Sequence, residues 1–348
     1  MNILFDCERL KYPNTGLYTF CESLGAALVR NANADQHITA YVPIAEKGIL
    51  GDRANYFIQK SWHKLLIPGT SKFDVWHISN QVSRYYPPKG RVKVLLTIHD
   101  LNFLIEKQDR PSRIKQHLDQ IQNRINRSSA IVCISHFVLD QVREYLDIKG
   151  KEISVIYNGC TVNEYPEFNM PAFRPFKPFL FSIGTVLPKK NFHVLPALLK
   201  ENDYELVIAG NLSAPEYVNK ILEEAKRLGL QDRVHIIGSI TKEERCWYYR
   251  NCCAFVFPSI AEGFGLPVIE AMHYGKPVFL STHTSLPEVG ADAAYYFQNF
   301  EGEHMQHILK AGLIHFDLNN GSNKAKKRAA QFNWDDTARC YLRLYNSL

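Results

Sequence analysis

"CCAFVFPSIAEGFGLPVIEAMHYGKPVFLS", residues 252–281, is the stretch from which the architecture can be read. An apolar run (CCAFVFPS) leads into a glycine loop (IAEGFG), then a helical pattern (LPVIEAMHYG), then a second apolar run (PVFLS). Strand, loop, helix and strand in that order make a βαβ unit, and its two strands run parallel. Pro267 stands near the first helical position, where the N–H it lacks would have had no partner. Gly263 and Gly265 let the backbone turn tightly and leave amides and the positive end of the helix dipole facing outward. That arrangement is an anion site, and a nucleotide diphosphate fits it. Glu262 precedes the turn and Glu270 lies about one turn inside the helix, so the two acids flank the phosphates. Each can accept hydrogen bonds from sugar hydroxyls, one on a transferable sugar and one on a ribose. An isolated E-G-x-G would read as a capped surface helix with solvated glutamates; the whole string is more specific.

The same grammar runs outward in both directions. Strands are expected at NILFD, HITAYV, FDVWHIS, KVLLTIHD, AIVCIS and ISVIY in the first half, and at FLFSIG, YELVIAG, RVHIIG, CAFVFPS and PVFLS in the second. Helices are expected near 17–30, 112–127, 136–146, 215–228, 242–250, 266–274, 301–313 and 322–331. A chain of 348 residues exceeds what one core usually serves. Between the halves, NEYPEFNMPAFRPFKPF (163–179) carries four prolines, which suppress helix and central strand, and reads as a linker. Two doubly wound α/β domains follow, with ligands expected in loops beyond the C-terminal strand ends, across a cleft between the domains.

Composition narrows the class. Apolar residues are 46% and charged residues 22%, ordinary for a globular enzyme, and no apolar run approaches the roughly 20 residues of a membrane span. The start, MNILFDCERL, reads as a core strand, not a signal peptide. Eight scattered cysteines without a C-x-x-C pair or zinc-finger spacing read as buried free thiols in a reducing compartment, which places the protein in the cytoplasm. Net charge is only +6, but six basic residues between Lys107 and Arg127 face Asp109 and Asp119, and KAKKR (324–328) forms a second cluster. These fit either a solvated helix face or attraction to an anionic membrane surface or phosphate-bearing acceptor. Nothing in the charge pattern calls for nucleic acid, and no strand is followed by G-x-G-x-x-G, which disfavours nicotinamide chemistry.

Other strand-end loops carry candidate groups. In FLFSIGTVLPKKNFHVL, Lys189 and Lys190 follow a strand, where cations bind a diphosphate and offset the charge of a departing nucleotide. Asn191 is placed to cap the next helix, which Pro196 is expected to shorten or kink. In NTGLYTF, Gly16 stands just before a helix and offers an amide to phosphate; it also fits a plain turn. His99 and Asp100 end the strand LLTIHD, as a local histidine–acid pair or as ligand contacts. Ser135, His136, Asn158 and Gly159 are weaker acceptor-side or hinge candidates.

PSIAEGFGLPVIEAMHYGKPVFLS followed by SLPEVGADAAYYF resembles the donor-site signature of the retaining glycosyltransferases of family four, marked by two glutamates with seven residues between them, here Glu262 and Glu270. The resemblance spans nearly the whole chain and is strongest from about 179 to 300. It implies a GT-B architecture of two Rossmann-like domains: an acceptor-side domain over 1–165, a donor domain over 166–332, and a final helix, 333–348, returning to the first. It implies that Glu262 contacts donor-sugar hydroxyls with the amides of Gly263, Phe264 and Gly265 beside Leu266, that Glu270 holds the ribose, and that His99 reaches the donor sugar. Relatives show arginine-lysine-asparagine where this chain has Lys189, Lys190 and Asn191, so a planar phosphate fork is missing at 189. GLYTF and LPKKN resemble bacterial mannosyltransferases of surface polysaccharide and lipopolysaccharide synthesis. The expectation is a retaining, metal-independent hexosyltransferase with no cofactor and with GDP-mannose as the favoured donor, ahead of a UDP-hexose or another GDP-sugar. Its acceptor is a saccharide or lipid-linked glycan, met at the inner face of the cytoplasmic membrane. A sugar-nucleotide epimerase of the same shape and a degenerate glycan-binding protein are the alternatives.

Overall fold

The computed structural model describes every residue of the chain except Asn14 and Lys89; the NTGLYTF loop is thus described from Thr15 onward. It divides into two compact units, Met1–Gly159 with Phe332–Leu348, and Cys160–Gln331. The break falls at 159/160, earlier than the 165/166 that the resemblance implied and ahead of the proline-rich stretch 163–179. Residues just past it are bound into the second unit: the Asn163 carbonyl accepts from Cys246 Sγ at 2.7 Å, and the Phe168 carbonyl accepts from Arg250 at 3.0 Å. Phe332, placed by sequence with the donor domain, packs its ring on Tyr157 of the first unit.

The first unit holds a seven-stranded parallel sheet ordered β3-β2-β1-β4-β5-β6-β7. Its strands are β1 Asn2–Asp6, β2 His37–Val42, β3 Asn55–Ile58, β4 Val75–Ile78, β5 Lys93–Ile98, β6 Ala130–Cys133 and β7 Glu152–Val155, with helices α1 Gly16–Asn31, α2 Phe103–Glu106, α3 Pro111–Arg127 and α4 His136–Tyr145. The second unit has a six-stranded parallel sheet ordered β10-β9-β8-β11-β12-β13. Its strands are β8 Phe179–Ile183, β9 Glu205–Ala209, β10 Val234–Gly238, β11 Ala254–Phe257, β12 Val278–Ser281 and β13 Tyr295–Phe297. Its helices are α5 Pro215–Arg227, α6 Lys242–Asn251, α7 Leu266–His273, α8 Leu286–Gly290, α9 Gly302–Leu318 and α10 Gly321–Ala329. Both sheets are doubly wound, and each reverses its strand order once: between β1 and β4, and between β8 and β11. Those switch points are where such sheets open a crevice for ligand.

Two strands escaped the sequence reading, β3 (NYFI) and β13 (YYF). Both are short edge strands, and neither is long enough for its periodicity to stand out from the polar residues around it. The central strands β1, β4, β5, β6, β9, β11 and β12 are almost wholly buried, which is why they read as unbroken apolar runs.

The last helix, α11 (Trp334–Ser347), belongs to the first unit and packs on α1. Asn333 caps it, Asp335 pairs with Arg30 at 2.7 Å, and Trp334 crosses so close to Gly159 that a Cβ there would lie 2.3 Å from the Trp334 nitrogen. His77 of β4 joins this helix to the sheet. Its Nδ1 lies 2.7 Å from Tyr345 Oη, its Nε2 lies 2.7 Å from Thr97 Oγ1, and Tyr341 stacks on its ring. All eight cysteines are free, five of them buried. No helix among the described residues is long and apolar enough to cross a membrane.

Burial holds His77 neutral, with its pKa lowered from 6.5 to about 3, and lowers that of His99 to about 4. Burial also raises Asp6 from 3.8 to about 7. Between pH 4 and 6.5 the unfolded chain protonates both imidazoles while the folded chain does not, so stability falls as pH falls. Asp6 acts oppositely, being protonated only in the folded state. The three together leave a loss of about 1.4 kcal/mol per pH unit on acidification. Asp6→Asn is expected to steepen that loss and His77→Asn to flatten it, read as urea midpoints across this range; parallel curves for all three proteins would contradict the assignment.

Candidate functional site

The loops at the switch point of the second sheet follow β8 and β11. After β8 the chain makes a 3₁₀ turn, Pro188–Lys190, then a second 3₁₀ segment, Phe192–Leu199, with Asn191 between them. Asn191 caps nothing with its side chain. It takes the left-handed conformation (φ 57°), a reversal that asparagine tolerates, and Pro196 sits inside the 3₁₀ segment where an α-helix was expected. The reversal aims Lys190 across the switch point, where its Nζ meets Glu262 Oε1 at 2.5 Å and lies 4.8 Å over the Phe257 ring. The two side chains are only 12% and 14% exposed.

Backbone contacts hold these loops in register. The Lys189 carbonyl accepts from Ile260 N at 2.9 Å and from Ser259 Oγ at 3.1 Å, and the Ser259 carbonyl accepts from Ser281 Oγ at 2.5 Å. Glu262 N donates to Thr284 Oγ1 at 3.1 Å, while Ser285 Oγ donates to the carbonyls of Glu262 and Phe264. Gly263 and Phe264 are buried, and Gly265, at φ 121°, is the residue where the turn requires glycine. Leu266 begins α7 behind a cap residue with no side chain to occupy its first amides. A cation paired with a carboxylate, beside an uncapped helix start, can take an anion by exchanging the carboxylate for it.

Glu270 lies inside α7 as the spacing implied, but its surroundings were not legible. Its Oε1 is 3.2 Å from Arg245 Nη1 on α6, and the side chain is buried beside Tyr249. Burial pushes its carboxyl up, against the pull of Arg245, while Glu270 raises Arg245. The space these groups line with Tyr274 and Thr161 is about 10 Å³, room for a water molecule. Arg245 sits in TKEERCWYY, a helical stretch with nothing to mark it.

His99 and Gly16 belong to the first unit. Gly16 is the first residue of α1 and not the one before it; Thr15 is the cap, accepting from Tyr18 N at 3.2 Å. His99 is buried, with Phe20 edge-on at 4.6 Å and its backbone N–H on Gln81 Oε1. Its Nε2 donates to the Ser79 carbonyl at 2.7 Å, so in the neutral ring Nδ1 is the acceptor. The Asp100 carboxylate accepts from Asn102 N at 3.0 Å. Ser135 caps α4 through Val138 N, His136 packs near Tyr157, and Asn158 is buried.

Asp6 was missed. It ends β1 fully buried, accepting from Ser83 Oγ at 2.7 Å and Glu8 N at 3.0 Å, and so ties together the loops after β1 and β4. The only signal was an acid closing an apolar strand. Among the described residues no three His, Cys, Asp or Glu side chains are placed to hold a metal ion.

Comparison with known proteins places both units. The family described as "Glycosyl transferases group 1" matches residues 167–309, and "Glycosyltransferase Family 4" matches 21–164. The serotype-specific mannosyltransferase WbdA of Escherichia coli is 28% identical over 271 residues, 71% of this chain but 32% of its own length, so the chain spans about a third of that relative. The O-antigen chain mannosyltransferase B of the same organism is 22% identical over the full length of both chains. Among solved structures, sucrose-phosphate synthase from Thermosynechococcus elongatus superposes with a TM-score of 0.77 at 18% identity, over 100% of this chain and 98% of its own.

Because the Lys190–Glu262 pair is largely withdrawn from water, removing one partner strands the other. A double-mutant cycle of Lys190→Met and Glu262→Gln, followed by urea unfolding, is expected to show about 1–3 kcal/mol of coupling. Additive single effects would mean that the contact contributes nothing.

Proposed function

As the chain belongs to the glycosyltransferases, with a family 4 first unit and a group 1 second unit, we propose that it transfers mannose from GDP-mannose, with retention of configuration and no metal ion, to a glycan acceptor of O-antigen-type surface polysaccharide, either free or lipid-linked. The observation that carries this reading is the Lys190–Glu262 pair at the switch point, beside the uncapped start of α7. The likeness to mannosyltransferases supports the sugar, and the matching acid pair supports the retaining class.

In this reading the donor diphosphate lies against the glycine loop and the Leu266 amide at the start of α7, and Lys190 turns from Glu262 to the phosphate, with Lys189 beside it. As the bond from the anomeric carbon to the phosphate oxygen breaks, charge gathers on that oxygen and the two ammonium groups offset it. The acceptor hydroxyl attacks from the face the nucleotide leaves, and its proton passes to the departing phosphate. Glu262, released from Lys190, accepts hydrogen bonds from sugar hydroxyls together with the Gly263–Gly265 loop. Glu270 holds the ribose, with Arg245 orienting it. His99, a neutral imidazole, accepts from a sugar hydroxyl through Nδ1, and Gly16 offers its amide to phosphate. The protein works in the cytoplasm, at the membrane's inner face when the acceptor is lipid-linked.

A thermal-shift panel tests the donor: GDP-mannose is expected to raise the melting temperature more than UDP- or ADP-sugars. A larger shift with a UDP-sugar would reassign it. Lys190→Ala is expected to lower turnover on the order of 10²-fold or more, by analogy with lost oxyanion donors, with activity in the parent surviving chelator. Chelator-abolished turnover restored by magnesium would end the metal-free mechanism, and free mannose epimers appearing without acceptor would point to an epimerase. Glu270→Gln should weaken GDP binding in calorimetry; unchanged affinity would remove the ribose role.

A further inference from the structure

Strand β5 outruns β4. The ladder between them ends at Ile78 opposite Leu96, while β5 continues to Ile98 and His99 follows it. Backbone beyond the last rung has no strand on that side to bond, and a side chain it carries is only as steady as that backbone. Here a side chain fills the gap. Gln81 Oε1 accepts from His99 N at 3.0 Å, and Gln81 Nε2 donates to the Asp100 carbonyl at 2.9 Å. One amide thus offers an acceptor and a donor side by side, as a paired strand would. Turned over, it would set its NH₂ against an N–H and its oxygen against a carbonyl, so the partners fix its orientation.

Gln81 belongs to a turn of uncommon composition. After the apolar β4, SNQVS (79–83) places Ser79, Asn80, Gln81 and Ser83 in the interior, where polar side chains are costly unless bonded. Asn80 Oδ1 accepts from Val82 N at 3.1 Å, Asn80 Nδ2 donates to Ser79 Oγ at 3.3 Å, and Ser83 Oγ donates to Asp6 at 2.7 Å. Beyond the turn, Arg84 joins Arg9, Lys11, Lys64 and Arg124 around a cavity of about 420 Å³, and Arg124 Nε donates to the Ser83 carbonyl at 3.1 Å. The Ser79 carbonyl accepts from His99 Nε2 at 2.7 Å. A carbonyl can only accept, so the neutral ring carries its proton on Nε2 and presents Nδ1 as an acceptor. The one turn therefore holds His99 twice, by its main chain through Gln81 and by its ring through Ser79.

We infer that Gln81 is a positioning residue for the transfer reaction. It holds the His99–Asp100 peptide in place of a missing strand, so that the His99 ring meets the Ser79 carbonyl and keeps Nδ1 turned to a hydroxyl of the bound sugar. Only the sugar partner rests on the reading of the chain as a GDP-mannose-dependent transferase; the clamp is built wholly within the first unit.

Gln81→Met keeps the side chain's length and removes both hydrogen bonds. It is expected to lower kcat/KM for GDP-mannose about tenfold or more and to leave GDP affinity within about twofold by calorimetry. Gln81→Glu, which keeps the acceptor for His99 N–H, is expected to fall between it and the parent. In a His99→Ala background, Gln81→Met is expected to change turnover less than about twofold, because a residue acting through His99 then has nothing to position. A further tenfold loss in that background, or full turnover in Gln81→Met alone, would overturn the proposal. Nitrogen NMR of the histidine rings needs no substrate. The parent is expected to show His99 at pH 7 as the Nε2–H tautomer alone, and Gln81→Met a mixture of tautomers. A parent ring protonated on Nδ1, or the same single tautomer in Gln81→Met, would end the clamp whatever the donor. The expected spectra with no turnover of GDP-mannose in the parent would support the clamp and remove the donor reading.

Discussion

An ammonium and a carboxylate 2.5 Å apart and mostly out of water form a contact that the surrounding backbone has to impose. Each group gives up hydration, and their attraction repays this only if both are held in place. In the second unit the holding is done by main chain. The Lys189 carbonyl takes two donors from the 259–260 segment, Ser281 ties that segment to β12, and Thr284 and Ser285 fix both ends of the glycine loop. The left-handed Asn191 makes the reversal that sends Lys190 across. The result is a cation stored against its own counter-charge, next to helix amides that no side chain caps. In the proposed mechanism a phosphate entering there meets charges that are already aligned, so little reorganisation is left for the bond-breaking step.

The first unit repeats the sheet logic with opposite electrostatics. At its switch point an acid again joins two strand-end loops, but Asp6 is buried and hydrogen-bonded to neutral donors, Ser83 and the Glu8 amide, instead of a cation. The cations of that region are left in excess around an open cavity. One fold used twice therefore handles its charges in two ways: paired in advance in one unit, and in excess around a cavity in the other.

Fold and site were legible to different depths. The parallel sheets announced themselves because central strands are buried on both faces and read as continuous apolar runs, while β3 and β13, at sheet edges, carried no such mark. The Glu262–Glu270 spacing and the Lys189–Lys190 pair were visible because loop, helix and acid lie within one local stretch. Gly16 was placed one residue off, because Thr15 and not the glycine is the cap. Asn191 was misjudged for a related reason: its side chain suits a cap, but the chain used its backbone tolerance. Partnerships between distant stretches left no local trace. Arg245 with Glu270, Asp6 with Ser83, and Arg124 with Arg9 and Arg84 each join residues from separate elements.

Sequence alone determined the alternation of strand and helix, the two-unit plan, and which loops carry glycine, acid and lysine, since periodicity and turn chemistry act over a few neighbouring residues. Only the tertiary structure decided which of those charges meet. Strand order in a doubly wound sheet is not chain order, and β8 lies beside β11 and β1 beside β4 because the sheet reverses there. That reversal pairs Lys190 with Glu262 in one unit and, among the described residues, brings five cations around a cavity in the other, outcomes of through-space electrostatics that no linear spacing encodes.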